Sequence, residues 1–141
     1  MESKGTAEQR SHRRLIAWQE SMDIVQEIYK VTAGFPRVEQ FGLTSQMRRA
    51  AISVPGNIAE GAARVTDKDF LNFLSISRGS LSELETQVLI AERLGYVADT
   101  ETIMEKNTRT FRLINGLMNH LRNRKDSTPK SHSNRPLTPN S

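Results

Sequence analysis

The stretch QMRRAAISVPGNIAEG, Gln46–Gly61, decides the fold. Met47, Ala50, Ala51, Val54 and Ile58 recur at steps of three and four, which places them on one face of a helix. Pro55 sits in the middle of the pattern. It brings no N–H, so the Ala51 carbonyl loses its usual partner, and its ring crowds that turn at a cost of roughly 3 kcal/mol in an isolated helix. A helix that keeps such a proline needs packing to offset it.

Working outward, Leu15, Trp18, Met22, Val25, Tyr29 and Thr32 predict a first helix from about Leu15 to Ala33, with Ile24, Ile28 and Val31 widening the stripe beyond this seam. Gly34 and Pro36 end it, and a connection through Phe41 and Gly42 leads into the second helix, about Leu43 to Ala63. Thr66 to Asp69 reads as a capping box with Asp in place of Glu or Gln. It opens a third helix in which Phe70, Leu74, Ser77, Leu81, Leu84, Val88 and Ala91 keep one rhythm up to Leu94, where Gly95 stops it. Asp99 or Thr100 caps a fourth, with Ile103, Thr110, Ile114, Leu117 and Leu121 on one face and Phe111 and Met118 beside it, fraying near Asn123. No strand pattern competes. The expectation is an all-α, antiparallel up-down-up-down four-helix bundle over residues 13–124. Residues 1–12 read as a disordered arm. Residues 125–141 read as a disordered basic tail, since Leu137 is its lone sizeable apolar residue.

The chain has 141 residues, a formal net charge of +4 and no cysteine. That length suits one domain with a real core. Without cysteine there are no disulfides, thiolate metal sites or cysteine nucleophiles, which fits a reducing cytoplasm. No run of eighteen apolar residues exists and the first fourteen residues lack a signal-peptide centre, so the expected location is cytoplasmic, without a membrane. Residues 1–14 carry +2 and residues 122–141 carry +4, which leaves −2 for the stretch between. The basic character therefore belongs to the ends, where Arg13, Arg14, Arg122, Arg124 and Lys125 can meet phosphate.

Catalytic groups are hard to find. His12 and His132 fall in the arm and tail and His120 near the fray point, so no His-x-x-x-His or Glu-x-x-His metal site forms. Gly-rich phosphate loops are missing, and Glu83 and Glu85 diverge on a helix. The sequence predicts no enzyme, metal or cofactor. An antiparallel second and third helix turning near Val65 sets Asn57 opposite Phe73 to Ser77 and Arg49 opposite Leu81 to Glu85. Arg49 can then tie to Glu83 or Glu85, while Asn57 and Ser77 satisfy backbone groups near Pro55. Asn57 and Glu60 read as internal ties.

Arg48 instead shares a second, apolar and small-sided face with Ile52, Pro55, Ala59 and Ala63. A compact bundle can bury so wide a stripe, or a neighbouring subunit can cover it. On the second view Ile24, Ile28, Arg48, Ile52, Pro55 and Ala59 form an oligomer interface.

The segments LIAWQESMDIVQEIY, FGLTSQMRRAAISVPGNIAEG and FLNFLSISRGSLSELETQVLIAERLGY, with the helix that follows, resemble the four-helix-bundle proteins encoded in intervening sequences of bacterial 23S ribosomal RNA. That family is similar in fold to the accessory variability determinant of diversity-generating retroelements. The resemblance covers about Leu15 to Leu121. It implies a homopentameric, ring-forming bundle that binds RNA or other nucleic acid, with Arg48, Arg49, Arg64 and Arg78 as the basic positions on the body. The retroelement relatives add a reverse transcriptase as a partner. Two functions are therefore expected: a non-catalytic oligomer that binds structured RNA or DNA electrostatically, or an oligomeric protein-interaction scaffold, such as an accessory subunit of a reverse transcriptase.

Overall fold

The computed structural model describes residues 11–124. Of the residues 1–12 expected as an arm, Ser11 and His12 belong to a helical turn and 1–10 lie outside the described residues, as does the expected tail 125–141, including Lys125. A helical turn, Ser11–Arg14, precedes four long helices: α1 (Ile16–Thr32), α2 (Leu43–Ala62), α3 (Asp67–Arg93) and α4 (Glu101–Arg122). A short 3-10 segment, Arg37–Glu39, lies between α1 and α2. Neighbours in sequence pack as neighbours in space, α1 also meets α4, and the result is an up-down-up-down bundle. Among the described residues there is no strand.

The helix ends follow their local chemistry. Thr66 accepts the Asp69 N–H at 3.2 Å at the start of α3. Asp99, rather than Thr100, caps α4 by accepting the Glu101 N–H at 3.0 Å. Gly95, at φ +79°, stops α3. Its N–H reaches the Glu92 carbonyl and the Tyr96 N–H reaches the Ala91 carbonyl, so a left-handed residue satisfies two carbonyls that the helix leaves open.

The expected faces of α2 and α3 are the buried ones, from Met47 to Ile58 and from Phe70 to Ala91. In α4, Leu117 is half-buried, and Asn107 joins the core by donating to the Leu81 carbonyl at 3.0 Å. In α1 the seam is rotated. Ala17, Ser21, Ile24, Ile28 and Thr32 face inward, while Met22 and Tyr29 are exposed. Small and hydroxylated residues hide this seam in the sequence. Ser21 and Thr32 are buried because their hydroxyls donate to carbonyls of their own helix, Trp18 and Ile28, both at 2.7 Å.

Pro55 is buried inside α2, which continues through it. Two polar side chains serve the backbone nearby. The Asn57 amide donates to the Ser53 carbonyl at 2.8 Å, and the Ser77 hydroxyl of α3 donates to the Val54 carbonyl at 2.8 Å. These carbonyls lie just beyond Ala51, where the disruption was expected. Gly61 lets the two helices close: a Cβ there would stand 2.8 Å from both Phe70 Cδ1 and Phe73 Cβ.

Candidate nucleic-acid interface

The antiparallel topology gathers the charges into two unlike ends. One end comprises the Ser11–Arg14 turn with the start of α1, the α2–α3 connection and the last turns of α4. Its residues 11–19, 57–73 and 114–124 hold six basic side chains, Arg13, Arg14, Arg64, Lys68, Arg122 and Arg124, against Glu60, Asp67 and Asp69. The opposite, loop end spans residues 27–45 and 85–105. It holds Glu27, Glu39, Glu85, Glu92, Asp99, Glu101 and Glu105 against Lys30, Arg37 and Arg93. A sum over the chain hides this division.

At the basic end Arg13, Arg14, Lys68 and Arg122 are exposed. The first turn is fixed by the Gln19 amide donating to the Arg13 carbonyl at 2.9 Å and by His12 standing edge-on to Trp18 at 5.2 Å. Arg64 bonds Glu60 at 2.6 Å and lies 4.8 Å over the Phe73 ring, and Arg122 donates to the Asn119 side chain at 3.3 Å. Arg124 departs from its expected surface role. Its side chain is 2% exposed and pairs at 2.6 Å with Asp67, itself 6% exposed. Arg124 Nε and Nη2 and Asp67 Oδ1 have no further partner. This pair joins the start of α3 to the end of α4.

Arginines also tie helix to helix along the bundle; Arg48 does so at the loop end, where its charge adds to those of Lys30, Arg37 and Arg93. Arg48 corrects the sequence reading. Its Nε donates to Thr32 Oγ1 at 2.8 Å and its guanidinium lies 4.3 Å over the Tyr29 ring, so half-buried Arg48 ties α1 to α2 within the subunit. Arg78 bonds Asn115 at 2.7 Å between α3 and α4, and Arg109 bonds Glu20 at 3.2 Å between α4 and α1. Arg49 is reversed in the other direction. It is exposed and makes no ion pair with Glu83 or Glu85; with Gln46, Ala50, Ser53, Ser80 and Glu83 it lines an open cleft of about 280 Å³ between α2 and α3. The floor of that cleft is held by a 2.8 Å bond between the Ser53 and Ser80 hydroxyls. Sequence steps assign a residue to a face but not the neighbour that flanks it, which is why the arginine pair divides the opposite way.

The expected oligomer interface is corrected as well. Ile24 and Ile28 are fully buried in the subunit core, Pro55 is buried, and Ala59 is half-buried; Ile52 stays exposed. Ile76 of α3 is a second exposed apolar residue on the hairpin, and a Cβ added at Gly56 or Gly79 would meet nothing within 4 Å.

Among the described residues no group of three or more His, Asp or Glu is placed to hold a metal ion. No described helix is long and apolar enough to cross a membrane. The fold and charge layout define an all-α bundle with an arginine-rich end. The chain belongs to the 23S rRNA-intervening sequence protein family, whose profile matches residues 13–116. Its fold is similar to the crystal structure of a protein of unknown function from the S23 ribosomal protein family of Bacteroides thetaiotaomicron. That match has 22% identity and a TM-score of 0.65, and covers 72% of this chain and 97% of that one. No curated protein matches the chain.

Proposed function

We propose that the protein is a non-catalytic RNA-binding bundle of the cytoplasm that grips structured RNA by charge, through its basic end. The observation that supports this is the convergence of Arg13, Arg14, Arg64, Lys68 and Arg122 on one end while the carboxylates collect at the other. Arginine suits the role because its planar fork meets phosphate oxygens in two bonds. In the sequence, Lys125, Lys130 and Arg135 follow Arg124 and add further basic charge. Shape and charge carry the recognition, since exposed aromatic rings are few at this end.

The test is a titration of labelled 23S rRNA fragments at two salt concentrations. Four phosphate contacts predict that affinity falls about a hundredfold between 50 and 200 mM salt. Arg14→Gln with Arg64→Gln should weaken binding and flatten the salt slope, whereas Arg37→Gln with Arg93→Gln at the loop end should change little. No binding at low salt sinks the reading.

A second reading, that the bundle works as an oligomer, draws on the outward surface of α2 and α3. There Ile52 and Ile76 are exposed, and Gly56 and Gly79 leave room for close approach. Burying this surface against further copies suits a closed ring, and the family resemblance makes it a pentamer. Ile52→Glu with Ile76→Glu should lower the mass seen by light scattering while the helical circular dichroism stays unchanged.

A further inference from the structure

Arg49 belongs neither to the basic end nor to the ties between helices, and the cleft it lines is a built one. On α2, Gln46, Arg49, Ala50 and Ser53 follow one another at steps that keep them on one side of the helix, and on α3 Ser80, Glu83 and Gln87 do the same. The antiparallel hairpin lays the two sets side by side. Ala50, Ser53 and Ser80 are small, and the room they leave is the cleft of about 280 Å³ between the helices. Its floor is fixed. The Asn57 amide donates to the Ser53 carbonyl at 2.8 Å and to the Ser53 hydroxyl at 2.9 Å, and Ser80, which bonds that hydroxyl, is only 8% exposed.

Several polar groups in and beside this cleft lack a partner. The two serine hydroxyls hold two protons, of which their mutual bond uses one, and the other has no acceptor among the described residues. Arg49 and Glu83 line the same cleft without pairing with each other. Glu83 accepts only a long bond, 3.4 Å, from the Gln87 amide. Gln87 is 5% exposed, and its Oε1 is buried with no donor among the described residues. A buried amide oxygen left open costs stability, so this side of the cleft calls for a donor. Open donors therefore collect at Arg49 and the serines, and open acceptors at Glu83 and Gln87.

That division selects the ligand. A simple anion satisfies the first side and is repelled by Glu83, and a simple cation meets the reverse, whereas a zwitterion satisfies both. Size narrows the choice, because about 280 Å³ lies just below the range of about 300–1,000 Å³ that suits drug-sized ligands. We propose that the cleft binds a free α-amino acid, with its carboxylate on the Arg49 guanidinium and the spare serine hydroxyl, its ammonium on Glu83, and its side chain over Ala50. Arginine meets a carboxylate in two charge-assisted bonds. An ammonium brings three donors, enough for Glu83 and Gln87 Oε1 together. This rests on neither the RNA reading nor the ring reading.

The test follows thermal unfolding of the full chain with each of the standard amino acids in turn at millimolar concentration. A saturable rise in the midpoint with at least one of them is expected, and calorimetric titration then gives its Kd. Arg49→Gln and Glu83→Gln should each weaken that binding at least about tenfold. Both side chains are exposed, so folding is not at issue. The matching carboxylic acid without the ammonium, and the matching amine without the carboxylate, should each bind at least about tenfold more weakly than the amino acid. Because the outward surface of α2 and α3 also carries the ring reading, the series is repeated in the Ile52→Glu with Ile76→Glu variant, in which no neighbouring copy covers the cleft. No midpoint rise in either protein overturns the proposal. So does a one-charge analogue that binds as tightly as the amino acid, or a Kd that neither substitution changes.

Discussion

The two ends of the bundle are each closed by a carboxylate tie, but in opposite surroundings. At the basic end Asp67 and Arg124 meet inside the protein, and Gly61 lets α2 touch Phe70 and Phe73. At the loop end Glu39 and Tyr96 meet near the surface, and Gly95 provides a turn with open space around it. Where water is excluded, each partner depends on the other. Where water can replace a lost partner, the same kind of bond matters less.

The largest effect should come from breaking the buried pair. Arg124→Met leaves Asp67 without its cation and should destabilise the fold by about 3–5 kcal/mol in urea unfolding. Adding Asp67→Leu to that variant should recover most of the loss, because the unpartnered Nε, Nη2 and Oδ1 atoms disappear with the charges. Failure of the second change to rescue would mean that the pair contributes more than mutual neutralisation.

Gly61→Ala comes next. Its methyl must displace Phe70 or Phe73, a cost of about 1–3 kcal/mol by overpacking. Gly95→Ala tests the other end, where space is free but φ is +79°. The cost there should be about 1–2 kcal/mol, with Asn better tolerated than Ala. If Gly95→Ala proved the more damaging of the two, turn geometry rather than helix contact would be limiting the fold.

Tyr96→Phe should have the smallest effect at neutral pH. The hydrogen bond to Glu39, then burial, then the Glu39 charge hold the Tyr96 pKa above the ordinary tyrosine value. A raised folded value means that the neutral phenol stabilises fully below about pH 10 and that this contribution is lost as pH rises through the folded pKa. Thermal unfolding followed from pH 8 to 11 should therefore show a weaker alkaline loss in the Phe variant than in the wild type.

Large apolar residues made most of the fold legible. In α3, Phe70, Leu74, Leu81, Leu84 and Val88 mark the buried face with little competition, and Thr66 and Gly95 bracket it. The α1 seam is rotated from the expected one because the small Ala17 and Ser21 are buried, as the expected Thr32 is, while the larger Met22 and Tyr29 are not. The site was less legible still. Asp67 and Arg124 are 57 residues apart, and no local spacing announces that they meet. Arg48 and Arg49 are adjacent, and only the position of α1 beside α2 shows that the first is held by Thr32 and Tyr29. The charge division between the ends was present in the sequence, but it becomes readable only after antiparallel helices fold residues 13, 64 and 122 onto one end.

The bond from Ser77 to the Val54 carbonyl bears on how the molecule opens. Pro55 contributes no amide, so the hydrogen-bond ladder of α2 is interrupted at mid-length, and a free helix would unzip there into two halves. Here that point is fastened across to the neighbouring helix, so releasing the end of α2 also loosens the middle of α3. The amides of Ile58 in α2 and of Leu81 in α3 should then exchange with deuterium at one shared free energy, as a single cooperative unit.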